Sequence, residues 1–457
     1  MNLSDTISAI STPFGEGGIS VLRLSGNKSF DIIENIFFKD PGRKKRINIA
    51  ETPSHTIHFG YLFDESNLVD EVLISVFKKP NSYTGEDTIE ISSHGGVLVT
   101  QKILALTLKT GARHAEPGEF TKRAFLNKRL DLSQAEAVAD LIKAKTESAH
   151  ESSLKQLEGS LSSYISSVRQ EIIDATSLIE LELDFSEENL EFISKDKFKK
   201  KIETLTDKLK DIISSYLSGK IIREGINLVI TGRTNSGKSS LFNQLLKSDR
   251  AIVSDISGTT RDYLQENIII NGILFNLIDT AGIRKSTNLI ETEGIKRSFQ
   301  KIEEADFILY LIDSSSTDEL INSEIEFFKN KFKSEKSLPV FTKNDIKDLK
   351  DKNGITISIF NDASIYKLKN KITERIREST VQKSSSEIVL TNLRHKLCLE
   401  NVVTTLRQVI DSLDKKMSGE FISVDLRSAL SYLGEITGEV TNEEILNNIF
   451  SKFCIGK

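Results

Sequence analysis

From Leu157, apolar residues recur at Leu161, Ile165, Val168, Ile172, Ala175, Ile179 and Leu183. Steps of three and four build one stripe, which predicts a single long helix from about Leu154. Residues 119 to about 218 read as helical throughout, and Leu426, Leu430, Leu433, Ile445, Leu446 and Ile449 extend the same spacing over 380–457. The intervening segment, 219–379, alternates strand and helix patterns and reads as an insertion into a helical domain. The first 118 residues differ again. Strand patterns occupy Ile19 to Leu24, Thr56 to Phe63, Val72 to Phe77 and Ile89 to Ile91, with a helix from Val97 to Leu108, an α+β arrangement. Five of the six prolines lie within the first 117 residues, so long helices are permitted only beyond them. The predicted domains are therefore 1–118, 119–218, 219–379 and 380–457, the second and fourth forming one discontinuous helical domain.

A chain of 457 residues exceeds the size at which one core keeps growing, and about three domains is the reasonable prior. With 38% hydrophobic and 28% charged residues it can bury a core. The net charge of -5 means that contact with nucleic acid needs a local patch. Lys195, Lys197, Lys199, Lys200 and Lys201 form the densest basic run, either a solvated helix face or a contact for RNA phosphates. Two cysteines, Cys398 and Cys454, cannot make a disulfide framework and suit a reducing compartment. No run approaches 18 apolar residues and the start lacks a leader pattern, so a soluble cytoplasmic protein without membrane contact is expected.

The sharpest chemical signal is Gly232-Arg233-Thr234-Asn235-Ser236-Gly237-Lys238-Ser239, between the apolar run Asn227 to Thr231 and the helical pattern from Ser240 to Leu246. It satisfies G-x-x-x-x-G-K-[ST], in which glycines let backbone N–H groups close around phosphate oxygens at a helix start. Lys238 would sit on the β and γ phosphates, and Ser239 would offer its hydroxyl to Mg²⁺. Downstream, Leu264 to Ile270 and Ile273 to Ile278 flank Asn271-Gly272, the pattern of a hairpin with a type I′ turn. The hairpin ends at Asp279-Thr280-Ala281-Gly282, which resembles a switch reading Mg²⁺ and the γ phosphate; Thr260 within Gly258-Thr259-Thr260 is the candidate second Mg²⁺ ligand.

Thr342-Lys343-Asn344-Asp345 follows a strand candidate at Pro339 to Phe341. The Asp345 carboxylate can accept from both N1 and the 2-amino group of guanine, which argues for GTP over ATP. Thr342 stands where asparagine is usual, and Ser358-Ile359 stands where a second base loop usually has Ser-Ala. After Gly282, Ras-like GTPases place a water-orienting glutamine. This chain has Ile283, which can neither donate nor accept, so Glu291 in the same segment becomes the candidate to position water; its alternative is an exposed loop carboxylate.

Taken together with Gly17 to Gly26, Pro80 to Asp87, His94-Gly95-Gly96, Pro117 to Asn127 and the closing Phe453-Cys454-Ile455-Gly456-Lys457, the chain resembles the MnmE (TrmE) family of tRNA-modification GTPases along essentially its whole length. The resemblance implies an N-terminal tetrahydrofolate-binding, dimerising domain like those of folate-dependent one-carbon enzymes (GcvT-like), a discontinuous helical domain and an inserted Ras-like α/β GTPase domain. It implies a homodimer that joins an FAD-containing partner protein (MnmG, or GidA) in a hetero-oligomer. Together they add aminomethyl or carboxymethylaminomethyl groups at C5 of the wobble uridine of certain tRNAs, using a one-carbon unit from tetrahydrofolate. Carried onto matching positions, folate contacts are Arg23, Glu90, Arg129 and Lys457, with Cys454 as a thiol near the folate or a small buried hydrophobe. Arg129 stands where lysine is usual. Nucleotide contacts are Asn235, Ser236, Gly237, Lys238, Ser239 and Ser240, then Ser254, Asp255, Ile256, Ser257, Gly258, Thr259 and Thr260, besides the switch and base motifs. K⁺ ligands are Asn235, Ser254, Ile256 and Thr259, where the cation replaces an arginine finger. Two other readings share the central motifs: a regulatory GTPase of ribosome assembly, and a module that binds GTP without hydrolysing it.

Overall fold

The computed structural model describes residues 5–184, 194–249, 265–279, 302–347, 354–380 and 388–457. The chain divides into two compact units, one of residues 1–139, 156–167 and 431–457, the other of 140–155 and 168–430.

The first unit is built on a seven-stranded sheet. Its strands are β1 (Ile7–Ile10), β2 (Ile19–Ser25), β3 (Phe37–Phe38), β4 (Thr56–Asp64), β5 (Asn67–Phe77), β6 (Thr88–His94) and β7 (Arg113–His114), ordered β3-β4-β5-β6-β2-β1-β7. All pairs are antiparallel except β1 with β7. Alternation sends Leu22, Leu24, Ile74, Val76, Ile89 and Ile91 to one face, where α1 (Ser29–Ile36) and α2 (Val97–Lys109) cover them with Ile32, Ile33, Ile36, Ile103 and Leu106. Each such side chain removed from water contributes about 1.5–3 kcal/mol. The opposite face carries a row in register, Ala9, Arg23, Glu90, Ser75 and Ile57. Over Ala9 lie Phe120 of α3 (Glu119–Leu126) and Tyr83. Helix α4 (Leu132–Lys143) packs Leu132 and Ala135 against Leu446, Phe450 and Phe453 of the closing segment.

The stripe that predicts one long helix belongs to two. Helix α5 (Glu147–Leu157) ends before Gly159, whose φ of 92° breaks the path, and α6 (Ser160–Asp184) resumes with Leu161, Ile165, Val168, Ile172, Ala175 and Ile179 buried. Apolar spacing is blind to such a break, because the steps of four continue across it.

The second unit contains α7 (Lys195–Ser214), α8 (Tyr216–Glu224) and a six-stranded sheet ordered β13-β12-β11-β8-β10-β9. Its strands are β8 (Ile226–Gly232), β9 (Gln265–Ile270), β10 (Ile273–Asp279), β11 (Phe307–Asp313), β12 (Ser337–Thr342) and β13 (Ile355–Thr356), parallel except for β9. Central strands are apolar on both sides, as a doubly covered sheet requires. Helices α9 (Lys238–Asp249) and α11 (Asp362–Thr380) cover one face through Leu241, Leu245, Leu368 and Ile372. Helix α10 (Asp318–Lys331) covers Tyr310, Ile312 and Phe341 on the other with Ile321 and Phe328. Thr317 caps α10 by accepting from the Leu320 N–H, with Asp318 and Glu319 in its positive first turn. The hairpin turn has φ of 50° at Asn271 and 82° at Gly272, the two positive values of type I′. Helix α12 (Leu393–Asp414) lies beside α7 through the Lys199–Asp414 ion pair, so one lysine of the basic run is paired. Helices α13 (Gly419–Thr437) and α14 (Glu443–Phe450) complete the chain.

Candidate functional site

Strand β8 lies between β11 and β10, and its C-terminal end is the switch point where α/β sheets open a crevice. The loop from Gly232 to Gly237 fills that end. Gly232 has φ of 144°, and a Cβ there would stand 2.4 Å from the Leu311 carbonyl oxygen, so no side chain fits. Asn235 holds φ of 64° and Gly237 of 87°. The Lys238 ammonium donates to the carbonyls of Gly232 at 3.0 Å and Arg233 at 2.5 Å, and Lys238 opens α9 with Ser239 and Ser240 exposed beside it. Ser236 is buried, and its hydroxyl has no partner among the described residues. Backbone N–H groups at a helix start, one lysine and exposed hydroxyls make a receptor for phosphate and an oxygen donor for Mg²⁺.

Thr342 ends β12 and donates its hydroxyl to the Ser236 carbonyl at 2.9 Å and to the Ile312 carbonyl at 3.3 Å. The Thr342 hydroxyl thereby ties this motif to the phosphate loop. Lys343, with φ of 58°, pairs with Asp313. Burial raises the Asp313 carboxyl, and the Lys343 ammonium with Ser315 outweighs it, leaving Asp313 below the ordinary range. The Asn344 N–H donates to Ile357, which draws Thr342-Lys343-Asn344-Asp345 to Ser358-Ile359. Ser358 is fixed by Ser364, whose hydroxyl donates to the Ser358 carbonyl and accepts from its N–H. Asp345 is exposed and so offers both carboxylate oxygens.

Ser254, Asp255, Ile256, Ser257, Gly258, Thr259, Thr260, Thr280, Ala281, Gly282, Ile283 and Glu291 lie outside the described residues, as does the side chain of Asp279.

In the first unit, Arg23 Nε and Nη2 both donate to Glu90 Oε1, at 2.9 and 2.8 Å. The Arg23 guanidinium lies 4.8 Å from the Tyr83 ring centre, and that of Arg129 lies 5.7 Å from the same ring. Arg129 also donates to the Ser82 carbonyl. Glu90, Arg129, Ser82, Tyr83, His55 and Phe77 line an open cleft of about 480 Å³. The closing residues reach the same unit's β1: the Ser11 hydroxyl donates to the Gly456 carbonyl at 3.1 Å, and the Gly118 N–H to Cys454. Gly456 has φ of 97°, and a Cβ there would fall 2.1 Å from the Ile10 carbonyl oxygen. Cys454 is exposed, which removes the reading of a small buried hydrophobe; Cys398 is the buried cysteine.

The family model described as "MnmE helical domain" matches residues 132–454 and that described as "GTP-binding protein TrmE N-terminus" matches residues 6–129. The chain belongs to the MnmE family. It is 40% identical to the tRNA modification GTPase MnmE of Christiangramia forsetii, over all of both chains. It is 43% identical to that of Lachnoclostridium phytofermentans over 99% of this chain and 100% of the relative. The MnmE of Flavobacterium johnsoniae is 42% identical over 99% of each. A multidomain MnmE architecture follows, with a TrmE N-terminal domain and a helical domain. Among the described residues no helix is long and apolar enough to cross a membrane.

Tyr83 and Phe120, whose rings lie under the Arg23 guanidinium, were not legible as site residues, although both stand inside the MnmE-like runs Pro80 to Asp87 and Pro117 to Asn127. An aromatic residue inside an otherwise polar motif is the signal that would have marked them. Glu324, which reaches Arg233 of the phosphate loop from 91 positions away, and Tyr310, which donates to Glu324, carry no such signal.

Proposed function

We propose that the protein is a K⁺-dependent GTP hydrolase that acts in tRNA modification in the cytoplasm. With an FAD-containing partner of the MnmG type, it places an aminomethyl or carboxymethylaminomethyl group on C5 of the wobble uridine, drawing a one-carbon unit from a tetrahydrofolate. The observation that carries this reading is the Thr342 hydroxyl bond to the Ser236 carbonyl, which joins a phosphate receptor to a loop presenting the exposed Asp345 carboxylate. In hydrolysis the oxygen of water bonds the γ-phosphorus while the bond from phosphorus to the β-γ bridging oxygen breaks, giving GDP and phosphate. Lys238 faces the β and γ oxygens, and Ser239 with Thr260 would hold Mg²⁺. Asn235, with Ser254, Ile256 and Thr259, would hold K⁺. Bound at these residues, the two cations would offset charge that develops on the phosphate oxygens. Glu291 orients the water that Ile283 cannot.

The domain reading keeps 1–118 as the GcvT-like folate-binding and dimerising domain and 219–379 as a GTPase domain inserted between helical segments 119–218 and 380–457. The cleft of about 480 Å³ has the groups a reduced folate needs: the Glu90 carboxylate for pterin donors, the aromatic face of Tyr83 and the Arg129 guanidinium for the glutamate tail, with Arg23 paired to Glu90 beside it. Arg23, Glu90 and Arg129 hold it, with Lys457 and Cys454 brought to the same unit by the closing segment. Exposed Ile57, Phe59 and Leu73 lie on the same sheet face, Phe59 in register with Leu73, and support pairing with a second copy.

Two measurements test the proposal. Phosphate release from GTP is fast in KCl and slow in NaCl of equal ionic strength, and Glu291→Ala slows it on the order of 10²- to 10³-fold without loss of nucleotide binding. Wobble uridines from a deletion strain lack the C5 group by mass analysis. Equal rates in both salts would remove the K⁺ assignment, and intact wobble uridines would remove the tRNA role.

A further inference from the structure

Arg233 immediately follows Gly232 in the phosphate loop, and its guanidinium forms an ion pair with Glu324, Nε lying 2.6 Å from Oε1. The other oxygen of Glu324 accepts the Tyr310 hydroxyl, also at 2.6 Å. Glu324 is 8% exposed and Tyr310 5%, whereas the Arg233 side chain is 60% exposed. Glu324 sits on α10 and Tyr310 on β11, where Tyr310 is in register with Thr231 and Leu311 with Gly232. The carboxylate therefore bridges the loop to the strand beside it.

The backbone of Arg233 has a second task. Its carbonyl accepts from the Lys238 ammonium at 2.5 Å and from the Ser236 N–H at 3.3 Å. A side-chain tether on this residue consequently fixes the carbonyl that orders the loop's own turn and its lysine. The loop holds positive φ at Gly232 and Gly237, which glycine adopts freely, and at the non-glycine Asn235, where it is costly, so an anchor outside the loop adds to its definition. Tyr310 is in turn fixed among the rings of Phe327, Phe328 and Phe332, at centroid distances of 5.9, 5.7 and 5.5 Å. Burial and the Glu324 carboxylate both raise the Tyr310 hydroxyl above its ordinary range, so it remains a donor.

We propose that Glu324 is a positioning residue of the phosphate loop, holding Arg233, and through it the carbonyl that receives Lys238, from helix α10. A buried carboxylate with only a phenol for company would be left uncompensated, and Arg233 supplies the missing charge. The tether acts on the bound nucleotide through the loop and touches no reacting atom.

The proposal rests on reading this loop as the nucleotide site, and the test separates the two. Dissociation of a fluorescent N-methylanthraniloyl GDP from the full-length protein is followed by stopped flow, with thermal unfolding measured on the same samples. Glu324→Gln and Arg233→Met each speed release about three- to tenfold, and the double variant releases no faster than the quicker single one. Steady-state KM for GTP rises more than kcat falls, and the melting temperature of Arg233→Met drops because buried Glu324 loses its counter-charge, a drop that the double variant recovers while its release stays fast. Tyr310→Phe keeps the charge pair and changes release less than Glu324→Gln does. Unchanged release in Arg233→Met, or multiplied effects in the double variant, overturns the tether while leaving the nucleotide site intact. If Glu324→Gln does not fold, the Arg233→Met rate alone decides. A parent protein that binds no guanine nucleotide overturns both readings.

Discussion

The Thr342 hydroxyl lies 2.9 Å from the Ser236 carbonyl oxygen and donates to it, so a residue that ends β12 fixes the middle of a loop that begins at β8. One polar atom of threonine is enough to make this tie between the two loops. Thr342→Val keeps the shape and removes the donor. Affinity for GDP and GTP falls together by about 1 kcal/mol, roughly fivefold, with no change in preference over ATP. Fluorescent-nucleotide titration checks this, and an undiminished affinity would show that the bond contributes nothing to binding.

The proposed base contact lies three residues further on. Asp345 is exposed, so Asp345→Asn leaves the fold alone and removes the acceptor for two guanine donors. The loss is about 2 to 4 kcal/mol in GTP binding, with the melting temperature of the nucleotide-free protein unchanged. Equal competition by ATP and GTP in the parent protein would contradict the assignment to guanine.

What could be read from the sequence was what neighbouring residues decide together. Asn271-Gly272 announces its turn because both positions need positive φ, and Gly232 to Ser239 announces a phosphate receptor because its glycines, lysine and serine are contiguous. The break at Gly159 was hidden, since apolar steps of four run straight through it. Short β1 and β7 were missed because a two- or four-residue strand is decided by its partners. The seat of Gly456 against Ile10 and the reach of Glu324 to Arg233 join residues 446 and 91 positions apart, and no local pattern encodes such a meeting.

The cleft in the first unit gives a prediction with two independent arms. Arg23→Ala removes the partner of Glu90 and a cation over the Tyr83 ring, and weakens binding of 5-formyltetrahydrofolate measured by calorimetry. Gly456→Ala displaces the tail, because a methyl group cannot occupy a point 2.1 Å from the Ile10 carbonyl oxygen. The second variant weakens folate binding only if Lys457 contributes. Full affinity in both would place the folate elsewhere.

Acid stability of the first unit follows from Glu119. This side chain is 1% exposed and accepts from Arg113 at 2.6 and 3.1 Å, from Arg123 at 3.0 Å and from the Glu116 N–H at 2.8 Å. Burial pushes its carboxyl upward, but the Arg113 bond, the Glu116 N–H and Arg123 outweigh burial and hold it below the ordinary value of 4.5. Asp5, bound to the same two arginines, is lowered for the same reason. A depressed carboxyl contributes stability that is complete above its unfolded value and is lost as the pH falls below 4.5 through the folded one. Glu119→Gln leaves Arg123, itself 1% exposed, short of negative charge and costs about 3 kcal/mol at pH 7. The variant also has less left to lose in acid. Hydrogen-exchange protection of α3 peptides in urea, measured from pH 7 down to pH 3, falls less steeply for Glu119→Gln than for the parent. Parallel acid limbs in the two proteins would assign the loss to other carboxylates and leave Glu119 without a part in it.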